Sequence, residues 1–201
     1  MLRKYLGLAC IALTLAAGSA GAAPRIGQPA PAFSGVDTQG KTHRLEDYRG
    51  RTVVLEWTNH DCPYVRKHYG AGNMQAQQRD AAAQGAVWLS VISSAPGKQG
   101  HVSAAAADEL TRSREAAPQA VLLDPAGEIG RAYGAQTTPH MYVIDPAGTL
   151  VYMGGIDSIA STSAADIPRA TQYVREALQQ LAAGEPVSEP VTRPYGCSVK
   201  Y

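Results

Sequence analysis

The sequence predicts a single α/β domain built on a mixed central sheet, and three observations carry that expectation. Apolar runs of strand length alternate with helical segments, two short strands near the end turn on Asp145-Pro-Ala-Gly148, and one last helix follows them. A length of 201 residues, 45% of them hydrophobic and 17% charged, suits one domain with a sizeable core and excludes a disordered or fibrous chain.

The elements follow in order. Residues 1–22 read as a signal peptide: Arg3 and Lys4 precede an apolar run from Tyr5 to Ala17, and Ala20-Gly21-Ala22 matches a cleavage pattern. The run is shorter than the ~20 residues that cross a bilayer, so no stable membrane insertion is expected. Cys10 would be lost with the signal, and the mature chain would carry one more acid than bases, which implies no nucleic-acid partner. Export to the periplasm would put the remaining cysteines, Cys62 and Cys197, in an oxidising compartment.

The domain proper spans 23–183. Ala32 to Val36 and Lys41 to Leu45 flank the turn Asp37-Thr-Gln-Gly40 and predict a β-hairpin. Thr52 to Trp57 has the composition of a strand buried on both faces. A helical stretch opens after Cys62-Pro63, breaks at Gly70 to Asn73 and runs on to Gln84. Strands are then expected over 86–92 and 120–123, helices over 101–116 and 128–133, a hairpin over 141–153, and a final helix over 167–183. From Gly184 the chain reads as a Pro-rich, irregular tail, 184–201, that carries Cys197.

Cys62 is the residue with the most chemistry. Proline is favoured at the first helical position, so Pro63 makes Cys62 the expected N-cap residue. There the amides of Tyr64 and Val65, the helix dipole and the nearby Arg66 and Lys67 would favour a thiolate, and Asp61 would oppose it. Thiols so placed titrate from about 3.5 to 7.5. The plain alternative is a half-cystine that holds the tail down. Glu56, an acid in an apolar strand, would have a raised pKa if buried and could then move protons.

The segment 26–69 resembles the redoxin branch of the thioredoxin superfamily, which holds the peroxiredoxins (alkyl hydroperoxide reductase and thiol-specific antioxidant proteins). The matching features are Gly27-x-x-Ala30-Pro31-x-Phe33, Leu45-x-x-Tyr48-Arg49-Gly50, the strand Val53-Val54-Leu55 and Cys62 at a helix start. Thr138-Pro139 before Tyr142-Val143-Ile144-Asp145 resembles the family's cis-proline strand. The resemblance implies a thioredoxin-like three-layer sandwich with a mixed central sheet, an N-terminal β-hairpin extension and an irregular C-terminal tail. It also implies that the Thr138 backbone lies beside the sulfur as a shelf for a substrate peptide, and that Glu56 matches a buried acid.

Departures from the family pattern narrow the activity. The fourth position of a Cys-x-x-Cys motif is Val65, so no disulfide can close within the first helical turn. Peroxiredoxins carry Pro and Thr or Ser at seven and three residues before the reactive cysteine, where this chain has Leu55 and Asn59. Asn59 is a candidate hydrogen-bond donor to a bound peroxide. Cys197 is the natural candidate to resolve an oxidised Cys62.

The expectation is therefore an exported thiol-dependent oxidoreductase with catalytic Cys62, Cys197 and Glu56, and a substrate shelf of Asn59, Thr138 and Pro139. Its partners would be a peroxide or a protein or small-molecule disulfide, with a thiol electron donor and no cofactor. The alternative is a non-enzymatic binding module with a structural Cys62-Cys197 disulfide, or with a copper or zinc site to which His60, His68 and His140 contribute.

Overall fold

The computed structural model describes residues 23–201, and the expected signal peptide lies outside them. Seven strands form one sheet. Three of them, β3 (Val53–Trp57), β4 (Val87–Ile92) and β5 (Ala120–Leu123), run parallel at its centre. The hairpin of β1 (Ser34–Asp37) and β2 (Thr42–Arg44) joins antiparallel to β5. On the other side β7 (His140–Ile144) and β8 (Leu150–Gly154) complete the order β2-β1-β5-β4-β3-β7-β8. The hairpin expected as an extension is thus an edge of the main sheet.

Burial explains the strand compositions. Every residue of β3, β4 and β7 is buried, because helices or loops cover both faces there. Residues Val53, Leu55 and Trp57 point to one face, with Leu89, Val91, Leu122, Tyr142 and the helix α4 (Glu128–Tyr133). Val54 points to the other, against α1 (Pro63–Gly70), α2 (Asn73–Ala83) and α5 (Tyr173–Ala182). A small third cluster seats α3 (Ala104–Ser113) on Ile92 and Val121.

Two expectations for helices need correction. The helix expected from His101 begins at Ala104, because the Ser103 side chain caps it by accepting the Ala106 N–H at 3.2 Å. The helix expected from Ile167 is a 3₁₀ turn over Ala164–Arg169 with Pro168 inside it, and α5 starts only at Tyr173. The tail is less irregular than expected. Val191 bridges to Met153, and β9 (Cys197–Ser198) pairs antiparallel with β6 (Thr137–Thr138) in a separate small sheet. Among the described residues no helix is long and apolar enough to cross a membrane.

Candidate active site

Strand β3 delivers the chain to a short loop, and the loop delivers Cys62 to the start of α1. Asn59 builds that loop. Its carbonyl accepts the Cys62 N–H at 3.0 Å, and its side-chain oxygen accepts the Asp61 N–H at 2.9 Å. Cys62 has extended backbone angles, and Pro63 is the first residue of the helix, as expected.

The Cys62 side chain is fully buried, although a sulfur that reacts with outside partners must be reachable. The cause is the tail, which folds back so that Cys197 pairs with Thr138, the residue before the cis Thr138-Pro139 bond. Cys62 Sγ donates to the Thr138 carbonyl at 3.0 Å, and the Cys197 thiol and backbone N–H both face the same sulfur. Both cysteines are free thiols.

Burial pushes the Cys62 thiol up, but the donors around it outweigh burial and hold it below its ordinary value. The Cys197 thiol is the largest of these donors, followed by the Val65 N–H, the Cys197 N–H and the Thr138 hydroxyl. The Val65 amide acts through its dipole at the helix start, without a formal cap hydrogen bond. The Thr138 carbonyl works against the thiolate, since an acceptor at 3.0 Å favours the protonated sulfur. Cys197 shifts the other way. Its own burial, then the hydrogen bond it donates to Cys62 and the charge there, push it up to about 11. One sulfur is prepared to be the anion and its neighbour to keep the proton.

The expected cations take no part. Arg66 is bound to Asp61 at 2.9 Å and to the His60 carbonyl, and Lys67 is bound to Asp157 at 3.2 Å. The ionisation of Cys62 is therefore favoured by dipoles and a thiol, not by ion pairing.

The other predicted site residues divide. The Thr138 carbonyl lies 3.0 Å from the Cys62 sulfur, the cis bond joins it to Pro139, and the chain's own β9 pairs with Thr138 there. Asn59 is buried, and its Nδ2 donates to the Gln99 carbonyl at 3.4 Å, so its amide shapes the loop. Glu56 is fully buried and hydrogen-bonds to neither sulfur. Its carboxylate accepts from Tyr69 at 2.9 Å, Trp88 Nε1 at 2.8 Å, Ser90 at 3.0 Å and Gln78 at 3.2 Å. The three histidines do not cluster. His60 faces Asp61, His68 faces Tyr195, and His140 packs on Tyr142. Among the described residues no three His, Cys, Asp or Glu side chains gather as a metal site would need. What sequence reasoning missed is the set Lys67, Asp157 and Tyr195 beside the couple. The dipeptide Pro194-Tyr195 ahead of Gly196-Cys197 was its one visible trace.

Comparison with known proteins agrees with this fold. The model of the AhpC/TSA family matches residues 26–153. Two solved structures share the fold along most of both chains. A conserved protein of Geobacillus kaustophilus has 24% identity, a TM-score of 0.74, and coverage of 88% of this chain and 92% of that one. A hypothetical protein of Sinorhizobium meliloti has 20% identity, the same TM-score of 0.74, and coverage of 90% and 96%. The thioredoxin domain of a thiol-disulfide oxidoreductase from Bacteroides vulgatus matches at 20% identity and a TM-score of 0.51, covering 64% of this chain and 87% of that one. A search of curated proteins finds no match.

Proposed function

Since this chain belongs to the AhpC/TSA family, we propose that it is an exported thiol-dependent oxidoreductase whose Cys62 and Cys197 cycle between dithiol and disulfide. The observation that supports this most is the direct contact of two thiols with opposite shifts, the lowered one at a helix start and the raised one on the strand facing it. Export rests on the composition of residues 1–22.

With a hydroperoxide, the Cys62 thiolate attacks the terminal oxygen. The O–O bond breaks, the leaving alkoxide takes a proton, and Cys62 becomes a sulfenic acid. The Cys197 sulfur then displaces hydroxide, which leaves as water with the Cys197 proton, and the disulfide forms. With a disulfide substrate, the thiolate displaces one sulfur to give a mixed disulfide, and Cys197 displaces the other. In both cases an external dithiol returns the two electrons. In this reading Glu56 and Asn59 hold the architecture under the sulfur, and Thr138 and Pro139 line it.

The test is to add hydrogen peroxide, and separately oxidised glutathione, to reduced wild type and to Cys62→Ser, and to map the products by mass spectrometry. A Cys62-Cys197 bond should form in the wild type only. Its formation with peroxide through a trappable sulfenic acid assigns the peroxidase branch, and formation with glutathione alone assigns exchange. No bond with either oxidant sinks the proposal. The full burial of Cys62 favours one second reading, a static bond in a binding module. Such a bond would form but resist reduction, with a potential below about −300 mV.

A further inference from the structure

Two residues ahead of Cys197, Tyr195 ends in a set of buried polar groups that the redox couple does not use. Lys67 and His68 come from α1, the helix that begins after Cys62, and Asp157 from the loop after β8. All three side chains are fully buried. Lys67 donates to Asp157 Oδ2 and to the Ile159 carbonyl, each at 3.2 Å. The Tyr195 hydroxyl donates to Asp157 Oδ1 and lies 3.2 Å from His68 Nε2.

The Asn73 amide gives these bonds a consistent direction. Asn73 Nδ2 can only donate, and it sits 2.8 Å from His68 Nδ1, so the imidazole proton is on Nε2 and points to the tyrosine oxygen. The chain of donors then runs from Asn73 through His68 and Tyr195 to Asp157, with Lys67 closing it from the far side. The tyrosine ring also meets Tyr64 edge-on at 5.7 Å, and the Lys67 ammonium stands 5.8 Å from its centre.

We propose that Tyr195 is a positioning residue of the Cys62-Cys197 couple: its hydroxyl, held by Asp157 and His68, latches the terminal strand over Cys62, and the sulfur meets outside reactants only while that latch is released. The purpose of the latch rests on the redox reading above, but its existence does not. A buried ion pair such as Lys67–Asp157 adds little net stability, because desolvation of the two charges offsets their attraction, which leaves the fixed hydroxyl as its distinctive product. Pins on both sides keep the rest of the tail in place. Thr192 bonds to Tyr152 and to the Gly155 N–H, and the Tyr201 hydroxyl donates to the Ala135 carbonyl at 2.8 Å. Between those pins the stretch that carries Cys197 is held by Tyr195 and by the short β6–β9 pairing, so release of Tyr195 leaves that pairing alone to hold it.

The experiment separates the latch from the redox chemistry. In a Cys197→Ala background, where no disulfide can form, alkylation of Cys62 by a bulky maleimide is followed by peptide mass spectrometry with and without Tyr195→Phe. A hydrogen bond to a charged acceptor is worth roughly tenfold or more in an equilibrium, so Tyr195→Phe should speed alkylation about tenfold. Tyr173→Phe, a change on the rim of the same surface depression, should not. With Cys197 present, Tyr195→Phe should lower the effective concentration of the two thiols, measured against a glutathione buffer, by a similar factor. Equal alkylation rates with and without the hydroxyl overturn the latch and leave the redox reading standing. Faster alkylation together with no Cys62-Cys197 disulfide in either protein supports the latch and overturns the redox reading.

Discussion

Glu56 is fully buried, and four side chains aim donors at its two oxygens. An acid at that depth invites a role in proton transfer, yet each donor comes from the scaffold, and neither sulfur is among them. We expect Glu56→Gln to act on stability and not on chemistry. The new amide sets a donor against the Trp88 N–H or the Tyr69 hydroxyl, and an unsatisfied buried group costs about 1–3 kcal/mol. Chemical denaturation should show that loss, while the pH profile of Cys62 alkylation should keep its midpoint. A shifted midpoint would restore Glu56 as a proton carrier. The sequence made the acid conspicuous, since a lone charge in an apolar strand is costly, but it could not tell whether the compensation comes from catalysis or from a ring of scaffold donors. The same gap explains Arg66 and Lys67. Spacing put them near the sulfur, and only folding revealed that Asp61 and Asp157 take their charges.

At the scale of elements, the site depends on two strands of two residues each. Gly196 leads into β9 with φ of +132°, and a Cβ there would lie 2.0 Å from the Thr138 carbonyl oxygen. Backbone cannot yield to that overlap without parting β9 from β6. Gly196→Ala should therefore lower the yield of Cys62-Cys197 disulfide in an oxidising glutathione buffer, and strain of roughly 1–3 kcal/mol makes the loss about fivefold or more. Gly184→Ala provides the comparison. Its φ is also positive, at +73°, but nothing lies within 4 Å, so the yield should stay near that of the wild type. Equal yields from the two variants would mean that the tail pairs by some other route. Long elements such as β3 and α1 were legible in the sequence because four apolar residues in five or a Cys-Pro start make a pattern. β6 and β9 were not, because two residues have no period, and Pro190 and Pro194 signal an irregular chain. Their pairing is set by tertiary contacts alone, and it is what brings Cys197 to Cys62.

The molecule as a whole carries two histidines that burial holds in the neutral form. Burial lowers His68 to about 4 against the pull of Asp157, with Lys67 helping to keep it uncharged. Burial alone lowers His140 to about 4, beside the Tyr142 hydroxyl and the Gln136 N–H. In the unfolded chain both would titrate near the ordinary value of 6.5. Above that pH neither state binds a proton, and stability is at its full value. As pH falls through the window from 6.5 toward 4 the unfolded chain takes up protons that the native state refuses, so stability must fall. Each histidine contributes about 1 kcal/mol per pH unit inside the window. Asp37 shifts in the opposite sense about its own value: burial raises it, but the bond to His43 and the Lys41 and Gln39 N–H groups lower it overall. Its stabilisation is lost only below 3.8 and does not overlap the histidine window. Urea midpoints taken from pH 7 down to pH 4.5 should therefore decline steadily below about 6.5. His140→Gln should make that decline shallower without abolishing it, since His68, and His60 with its smaller downward shift from burial, still distinguish the two states. A midpoint that stays level across the window would mean that both imidazoles accept protons in the folded chain, and with a charged His68 the Asn73-His68-Tyr195 bonds could not stand as described.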